Sequence, residues 1–181
     1  YFLAFFYFAT GACGLVYEII WTRYFSLFLG CELDSIAAVV GTFMGGLALG
    51  SFIGGRVANR SRNPLRLYGI IELCLAFTAP LAPFAIAAAE PLLSYVYANH
   101  FNAFGLLRIF LAISLVAVPS TLMGASYPVV VKFVSRTLGE TGLGAGILYA
   151  LNCAGAVTGS IVSAFWALET LGIHTTLIAC A

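Results

Sequence analysis

The sequence predicts an all-α transmembrane protein, a polytopic bundle of about six helices. Hydrophobic residues make up 62% of the chain and charged residues 8%, whereas a soluble domain carries about 25% charged residues. The mean hydropathy is +1.04. Apolar runs recur at about the 20 residues needed to cross a bilayer. Each run must be helical, because lipid offers no partner to an unpaired backbone amide.

On that length scale, a single transmembrane domain fills residues 1–181, with five complete spans and the start of a sixth. The complete spans cover residues 3–29, 35–57, 65–88, 104–133 and 145–168, and the sixth starts near residue 175. The segment 91–101 is typical of an interfacial connector. Because the chain starts without a methionine and stops inside an apolar run, we expect a longer polypeptide with a cytosolic domain after residue 181.

Basic and acidic residues separate between the predicted loops. The basic loop between spans two and three carries Arg56, Arg60, Arg62 and Arg66, and Lys132 and Arg136 flank the loop between spans four and five. The acidic residues of the opposite side are Glu32, Asp34, Glu90 and Glu169. The positive-inside rule therefore places the basic loops, and with them Tyr1, in the cytosol.

Glycines recur at four-residue spacing in two predicted spans. They are Gly46, Gly50 and Gly54 in the second span and Gly155 and Gly159 in the fifth. A helix face without side chains lets another helix approach to backbone contact. We therefore predict that these glycines pack helices together rather than line a substrate path.

The two glycine-rich spans also resemble each other. Residues 46–51 match residues 155–160 at an offset of 109, and residues 14–17 match residues 124–127 at an offset of 110. Two pairs with nearly the same offset indicate a three-plus-three repeat with inverted topology. The alternative is chance, because glycine-rich helices match one another easily.

Several polar side chains are predicted to lie deep in the membrane, where polar groups are unfavourable. If the first span is centred near Val16, Glu18 lies close to the midplane and Arg23 lies about 10 Å from the centre. Glu72 lies about two turns into the third span, and Asn152 lies at a similar depth in the fifth. An unpaired charge there costs several kcal/mol, so these side chains are expected to face the bundle interior.

The partners of Glu18 and Arg23 are expected on other helices. The two residues are five positions apart and do not share a helical face. Asn152, Tyr149 or Tyr68 is the expected partner of Glu18, and an acid or a carbonyl of the outer side is the expected partner of Arg23.

These polar residues fit two interpretations. In the first, a polar cavity binds a cation or a proton, and neighbouring aromatic rings form a cation-binding box. Its candidate residues are Glu18, Glu72, Tyr17, Trp21, Tyr68 and Asn152. In the second, the aromatic rings are ordinary packing and Glu18 is hydrogen-bonded in an interhelical polar clamp. The candidate clamp residues are Arg23, Arg108 and Tyr149.

The sequence contains no recognisable catalytic or metal-binding pattern. The glycine-rich stretch 142–146 follows no strand and therefore lacks the Rossmann context. His100 and His174 are far apart, and the five cysteines are single, which is typical of packing residues. We assign this chain no catalytic residue, no metal site and no cofactor. Its net charge of +1 gives no nucleic-acid footprint.

Five stretches together resemble one protein family. They are residues 14–30, 42–60, 64–73, 119–133 and 148–160. They are similar to the membrane region of bacterial spermidine-synthase-like proteins, in which a major-facilitator-like bundle is fused to a cytosolic aminopropyltransferase-like domain. The resemblance implies a multi-pass protein of the bacterial inner membrane, with aminopropyltransferase activity only in a domain beyond this chain. Asn59 departs from the facilitator pattern, which usually has an aspartate in this loop.

Two functions follow as expectations. The first is a membrane module that anchors the cytosolic domain and conducts a polyamine or similar small cation. The second is a non-catalytic accessory or scaffold subunit, packed within a larger membrane complex or against further copies of itself. Enzymology on a lipophilic substrate is a weaker third expectation, because the chain lacks a catalytic set.

Overall fold

The computed structural model describes residues 2–29, 33–138 and 141–180, which are almost entirely helical. No β-strand occurs within these ranges, so the predicted all-α class is confirmed. The helices are α1 (Phe2–Leu29), α2 (Leu33–Arg60), α3 (Pro64–Thr78), α4 (Leu81–Asn99), α5 (Phe101–Leu138), α6 (Thr141–Val162) and α7 (Gly172–Ala179). A π-helical turn, Ser163–Ala167, and a short helical turn, Leu168–Thr170, connect α6 to α7.

Four helical stretches within the described residues are long and apolar enough to cross a membrane. They are Ala4–Phe25, Ile36–Arg60, Ala103–Arg136 and Gly142–Thr170, and they correspond to the first, second, fourth and fifth predicted spans. At most 39% of any of these stretches is buried, so much of their apolar surface is at least partly exposed. A lipid bilayer is the environment that suits such helices.

The third predicted span, residues 65–88, is divided into two helices. α3 ends at Thr78 and α4 begins at Leu81. The division falls at Pro80, because proline lacks an amide hydrogen and its ring crowds the preceding helical turn. α3 has 15 residues, which makes it about 22 Å long and too short to cross a hydrocarbon core of about 30 Å alone. α7, where the sixth span is predicted, has only 8 residues, so the six-span arrangement stays a prediction.

The start of α3 is fixed by its own sequence. Pro64 occupies the first turn, where a missing amide hydrogen costs nothing. The side-chain oxygen of Asn63 accepts a hydrogen bond from the backbone N–H of Arg66 at 3.2 Å, which satisfies one of the free amides at the helix start. Asn63 and Pro64 therefore set the position at which the basic loop ends and α3 begins.

Two helix pairs form the centre of the bundle, because α2 packs along α5 and α1 packs along α6. Glycine permits this approach. A Cβ atom on Gly50 would overlap the backbone carbonyl of Thr121, and a Cβ atom on Gly159 would overlap that of Ala12. The other predicted packing glycines, Gly46, Gly54 and Gly155, lie at the same two interfaces. The helices thus meet at backbone contact, as small residues allow in membranes.

The position of α3 leaves an open cleft beside α1. α3 packs mainly on α5 and includes the buried residues Tyr68, Ile71 and Leu75, whereas α1 packs on α6 and α2. α1 and α3 therefore pack mainly on other helices and little on each other. The cleft between them contains the candidate site.

Candidate functional site

A polar cluster crosses the cleft between α1 and α3. Glu72 of α3 is half-buried, and the Thr10 hydroxyl of α1 donates to its Oε1 atom at 3.4 Å. The same hydroxyl lies 3.1 Å from the hydroxyl of Tyr68, one helical turn before Glu72. The structure thus brings the predicted residues Glu72 and Tyr68 together, through a threonine that the sequence did not single out.

Thr10 has a second acceptor for its proton, because its hydroxyl also lies 3.0 Å from the carbonyl oxygen of Phe6. A hydroxyl donates one hydrogen bond at a time. Glu72 and the Phe6 carbonyl therefore compete for it. A ligand that donates to Glu72 would leave Thr10 bonded to its own helix, at little cost to the protein.

Two cavities meet at this cluster. Both are lined by Phe6, Thr10, Glu72 and Ala76. The larger, about 620 Å³, extends to Arg66 at the start of α3. The smaller, about 300 Å³, extends to Tyr17 and Cys180. Together they follow α3 from Arg66 to Ala76, a distance of about 15 Å along the helix axis.

The carboxylate of Glu72 has no cationic partner within the part of the chain that the structure describes, since its hydrogen-bond donor is the neutral Thr10 hydroxyl. A carboxylate removed from water is costly unless a cation or a proton accompanies it. The cleft is otherwise mostly apolar, with Phe6, Ile70 and Leu73 on its walls. This combination suits a small organic cation that has an apolar chain.

Glu18, the other predicted acid of the site, does not join this cluster. It is half-buried and makes no hydrogen bond or ion pair with any residue in the described ranges. Of its three expected partners, Asn152 instead donates from Nδ2 to the carbonyl of Tyr7 at 3.3 Å. Tyr68 bonds Thr10, as described above. Tyr149, the third, is exposed and its ring lies 6.2 Å from that of Tyr127.

The predicted clamp is likewise not assembled around Glu18. Arg23 is exposed on α1. Arg108 lies on α5 with its guanidinium carbon 5.1 Å from the centre of the Phe104 ring, a cation–π distance. Within the described residues, no hydrogen bond or ion pair joins Glu18 to Arg23, Arg108 or Tyr149.

Tyr17 and Trp21 are core residues that retain unused hydrogen-bonding groups. Each is 1% exposed, and their rings stack with centroids 5.6 Å apart. Trp21 also meets the Phe43 ring of α2 at 6.4 Å. The Tyr17 hydroxyl and the Trp21 indole N–H find no hydrogen-bond partner among the residues that the structure describes. Tyr17 also lies at the wall of the smaller cavity, but its hydroxyl is buried.

The described residues contain no metal-binding cluster, since no three His, Cys, Asp or Glu side chains among them converge. The four cysteines that the structure describes are free thiols: Cys13, Cys74, Cys153 and Cys180. The four arginines of the basic loop are all exposed at the end of the bundle where α2 ends and α3 begins: Arg56, Arg60, Arg62 and Arg66.

Comparison of this chain with known protein families, characterised proteins and solved structures finds no match.

Proposed function

We propose that this chain is the membrane module of a spermidine-synthase-like protein, and that its α1–α3 cleft conducts a polyamine or another small organic cation. The observation that carries the proposal is Glu72, a half-buried carboxylate without a basic partner among the described residues. It lies where two cavities meet. An ammonium group there would pair with the carboxylate, and its alkyl chain would lie against the apolar walls.

The remaining parts of the proposal follow from the resemblance and from the charge distribution. The bundle would lie in the bacterial inner membrane, with the basic loop and the N-terminus in the cytosol. It would anchor an aminopropyltransferase-like domain on that side. In support, the larger cavity extends to Arg66, next to the basic loop, so the cleft would open towards such a domain.

We also propose the inverted three-plus-three repeat. Gly50 lies against Thr121 in the α2–α5 pair, and Gly159 lies against Ala12 in the α1–α6 pair. Gly159 lies 109 residues after Gly50, and Thr121 lies 109 residues after Ala12, which is the offset found in the sequence. The two halves also correspond in a third contact: α3 packs on α5, and α7 packs on α1. These correspondences support a bundle built from two similar halves.

The conduit is tested with the purified chain in liposomes, with labelled spermidine as the probe. Glu72→Gln keeps the shape of the side chain and removes its charge. A hydrogen bond to a charged group contributes about 1.5–3 kcal/mol, so we expect spermidine uptake to fall by about tenfold or more. The melting temperature should stay close to that of the unmodified chain.

Glu90→Gln is the matched control, because Glu90 is exposed on α4 and does not line the cleft. It should leave uptake unchanged. Uptake unchanged by Glu72→Gln contradicts conduction through this cleft, and uptake unchanged by both Glu72→Gln and Glu18→Gln contradicts any cation conduit in the chain. Absence of uptake by the unmodified chain, together with a partner protein that copurifies in fixed ratio and is lost on Gly50→Leu, would favour the scaffold subunit instead.

A further inference from the structure

Six of the eight basic residues of the chain gather at one end of the bundle. They are Arg56 and Arg60 of α2, Arg62 of the loop, Arg66 of α3, and Lys132 and Arg136 of α5. The guanidinium of Arg136 donates to the backbone carbonyl of Arg62 at 3.4 Å, which brings the end of α5 to the basic loop. No acidic residue occurs in residues 50–70 or 119–138; the nearest in sequence are Glu72 of α3 and Glu140, of which the latter lies outside the described residues.

A cavity of about 460 Å³ opens between α2 and α5 at this same end. Its polar lining consists of Asn59, Tyr127, Lys132 and Ser135, and its remaining lining consists of Gly55, Ala58, Pro128 and Val131. Lys132 is half-buried, unlike the exposed arginines around it. A half-buried lysine beside an amide and a hydroxyl suits a compact anion with several acceptor oxygens, such as a phosphate group.

The depth of the cavity points to a lipid rather than to a soluble anion. Arg60 and Arg136 end the apolar stretches of α2 and α5, so the cavity lies at the level of the membrane surface. The guanidinium of Arg56 lies 3.4 Å above the centre of the exposed Phe52 ring, the arrangement of a basic side chain that reaches along apolar surface to the interface. Acyl chains of a bound lipid would continue along this exposed apolar face.

We propose that the cavity between α2 and α5 binds the phosphate headgroup of an anionic phospholipid. The ammonium of Lys132 pairs with the phosphate, while Asn59 and Ser135 supply hydrogen bonds. The surrounding arginines raise the local concentration of anionic lipid, as basic clusters beside membrane helices do. This site is separate from the cleft that contains Glu72, and it does not depend on the proposed transport.

The test is binding of phosphatidylglycerol to the purified chain in detergent, measured by native mass spectrometry against phosphatidylcholine. One basic residue near a membrane surface changes lipid affinity by about fivefold. We expect Lys132→Gln to weaken phosphatidylglycerol binding by about tenfold or more, because the direct pairing with the phosphate is lost as well as the surface charge, and Lys132→Arg to restore most of it. Arg62→Gln is the matched control, because it removes the same charge outside the cavity and keeps its backbone carbonyl. It should weaken phosphatidylglycerol binding by no more than about fivefold, the effect of one surface charge.

Three results would overturn the proposal. One is equal weakening by Lys132→Gln and Arg62→Gln, which would show a diffuse charge effect without a pocket. Another is equal affinity for phosphatidylcholine and phosphatidylglycerol. The third is displacement of phosphatidylglycerol by millimolar inorganic phosphate, which would assign the cavity to a soluble anion.

Discussion

Gly50→Leu is expected to separate α2 from α5 and to destabilise the whole bundle. A Cβ atom at this position would lie 2.8 Å from the carbonyl carbon of Thr121 and 2.9 Å from the amide nitrogen of Ala125. Both atoms are backbone and cannot rotate away. Overpacking in a core costs about 1–3 kcal/mol, and we expect the upper end of that range or more. The effect is measured by heating the protein in detergent and monitoring the loss of its monodisperse peak.

Gly45→Leu is the control that distinguishes the effect of the clash from the effect of leucine on helix propensity. Gly45 is exposed, and a Cβ atom there would meet no atom within 4 Å. Leucine favours a helix over glycine by almost 1 kcal/mol, so the control should melt at or above the temperature of the unmodified chain. If both variants melt like the unmodified chain, α2 and α5 are not in backbone contact.

Gly159→Leu is expected to have a similar effect at the other helix pair. A Cβ atom on Gly159 would lie 2.7 Å from the Cα atom of Ala12 and would overlap its carbonyl oxygen. The leucine would force α6 away from α1. We expect a loss of unfolding free energy comparable to that of Gly50→Leu, about 3 kcal/mol, measured by the same thermal unfolding.

The matched control on α6 is Gly146→Leu. Gly146 is exposed, and a Cβ atom there would also meet nothing within 4 Å. A large loss of stability for Gly50→Leu with none for Gly159→Leu would contradict the equivalence of the two interfaces, and with it the proposed repeat. Comparable losses at both positions are the expected outcome.

Much of this fold is predictable because length and composition decide whether a helix can cross a membrane. The four long apolar stretches were predicted with boundaries close to those observed. Glycine spacing likewise predicted which faces of α2 and α6 approach another helix. The identity of the facing helix was not predictable, because small residues permit close approach by any neighbour.

The third predicted span shows where that reasoning fails. The apolar pattern continues on both sides of Pro80, and a composition window does not register a local break in the helix. The structure ends α3 at Thr78 and starts α4 at Leu81, because backbone chemistry at the proline outweighs the apolar pattern. The tertiary consequence, a short α3 beside an open cleft, depends on contacts that the sequence does not display.

The site was predictable only in part, for a similar reason. Depth in the membrane singled out both Glu18 and Glu72, but depth does not fix the direction of a side chain around its helix. Only Glu72 meets a polar partner, Thr10, within the described residues. Thr10 gave no signal in the sequence, because threonines in helices commonly bond the carbonyl four residues earlier, as Thr10 itself does with Phe6.

The central claim is that Glu72 lies in a cation-selective cleft reached by water from within a membrane bundle. Ala76 lines both cavities one turn beyond Glu72, so a cysteine there reports on the cleft while the carboxylate stays in place. The measurement is the labelling rate of Ala76→Cys by cationic and anionic thiosulfonate reagents of similar size, in a chain whose five native cysteines are replaced by serine. Phe77→Cys, at a neighbouring position that is 74% exposed, reports on the outer surface of α3.

We expect Ala76→Cys to react with both reagents, and with the cationic one about tenfold faster. Adding Glu72→Gln should remove that preference, and Phe77→Cys should react with neither reagent because lipid covers it. A cysteine at position 76 that resists both reagents, or that reacts with them at equal rates while Glu72 is present, would contradict the account.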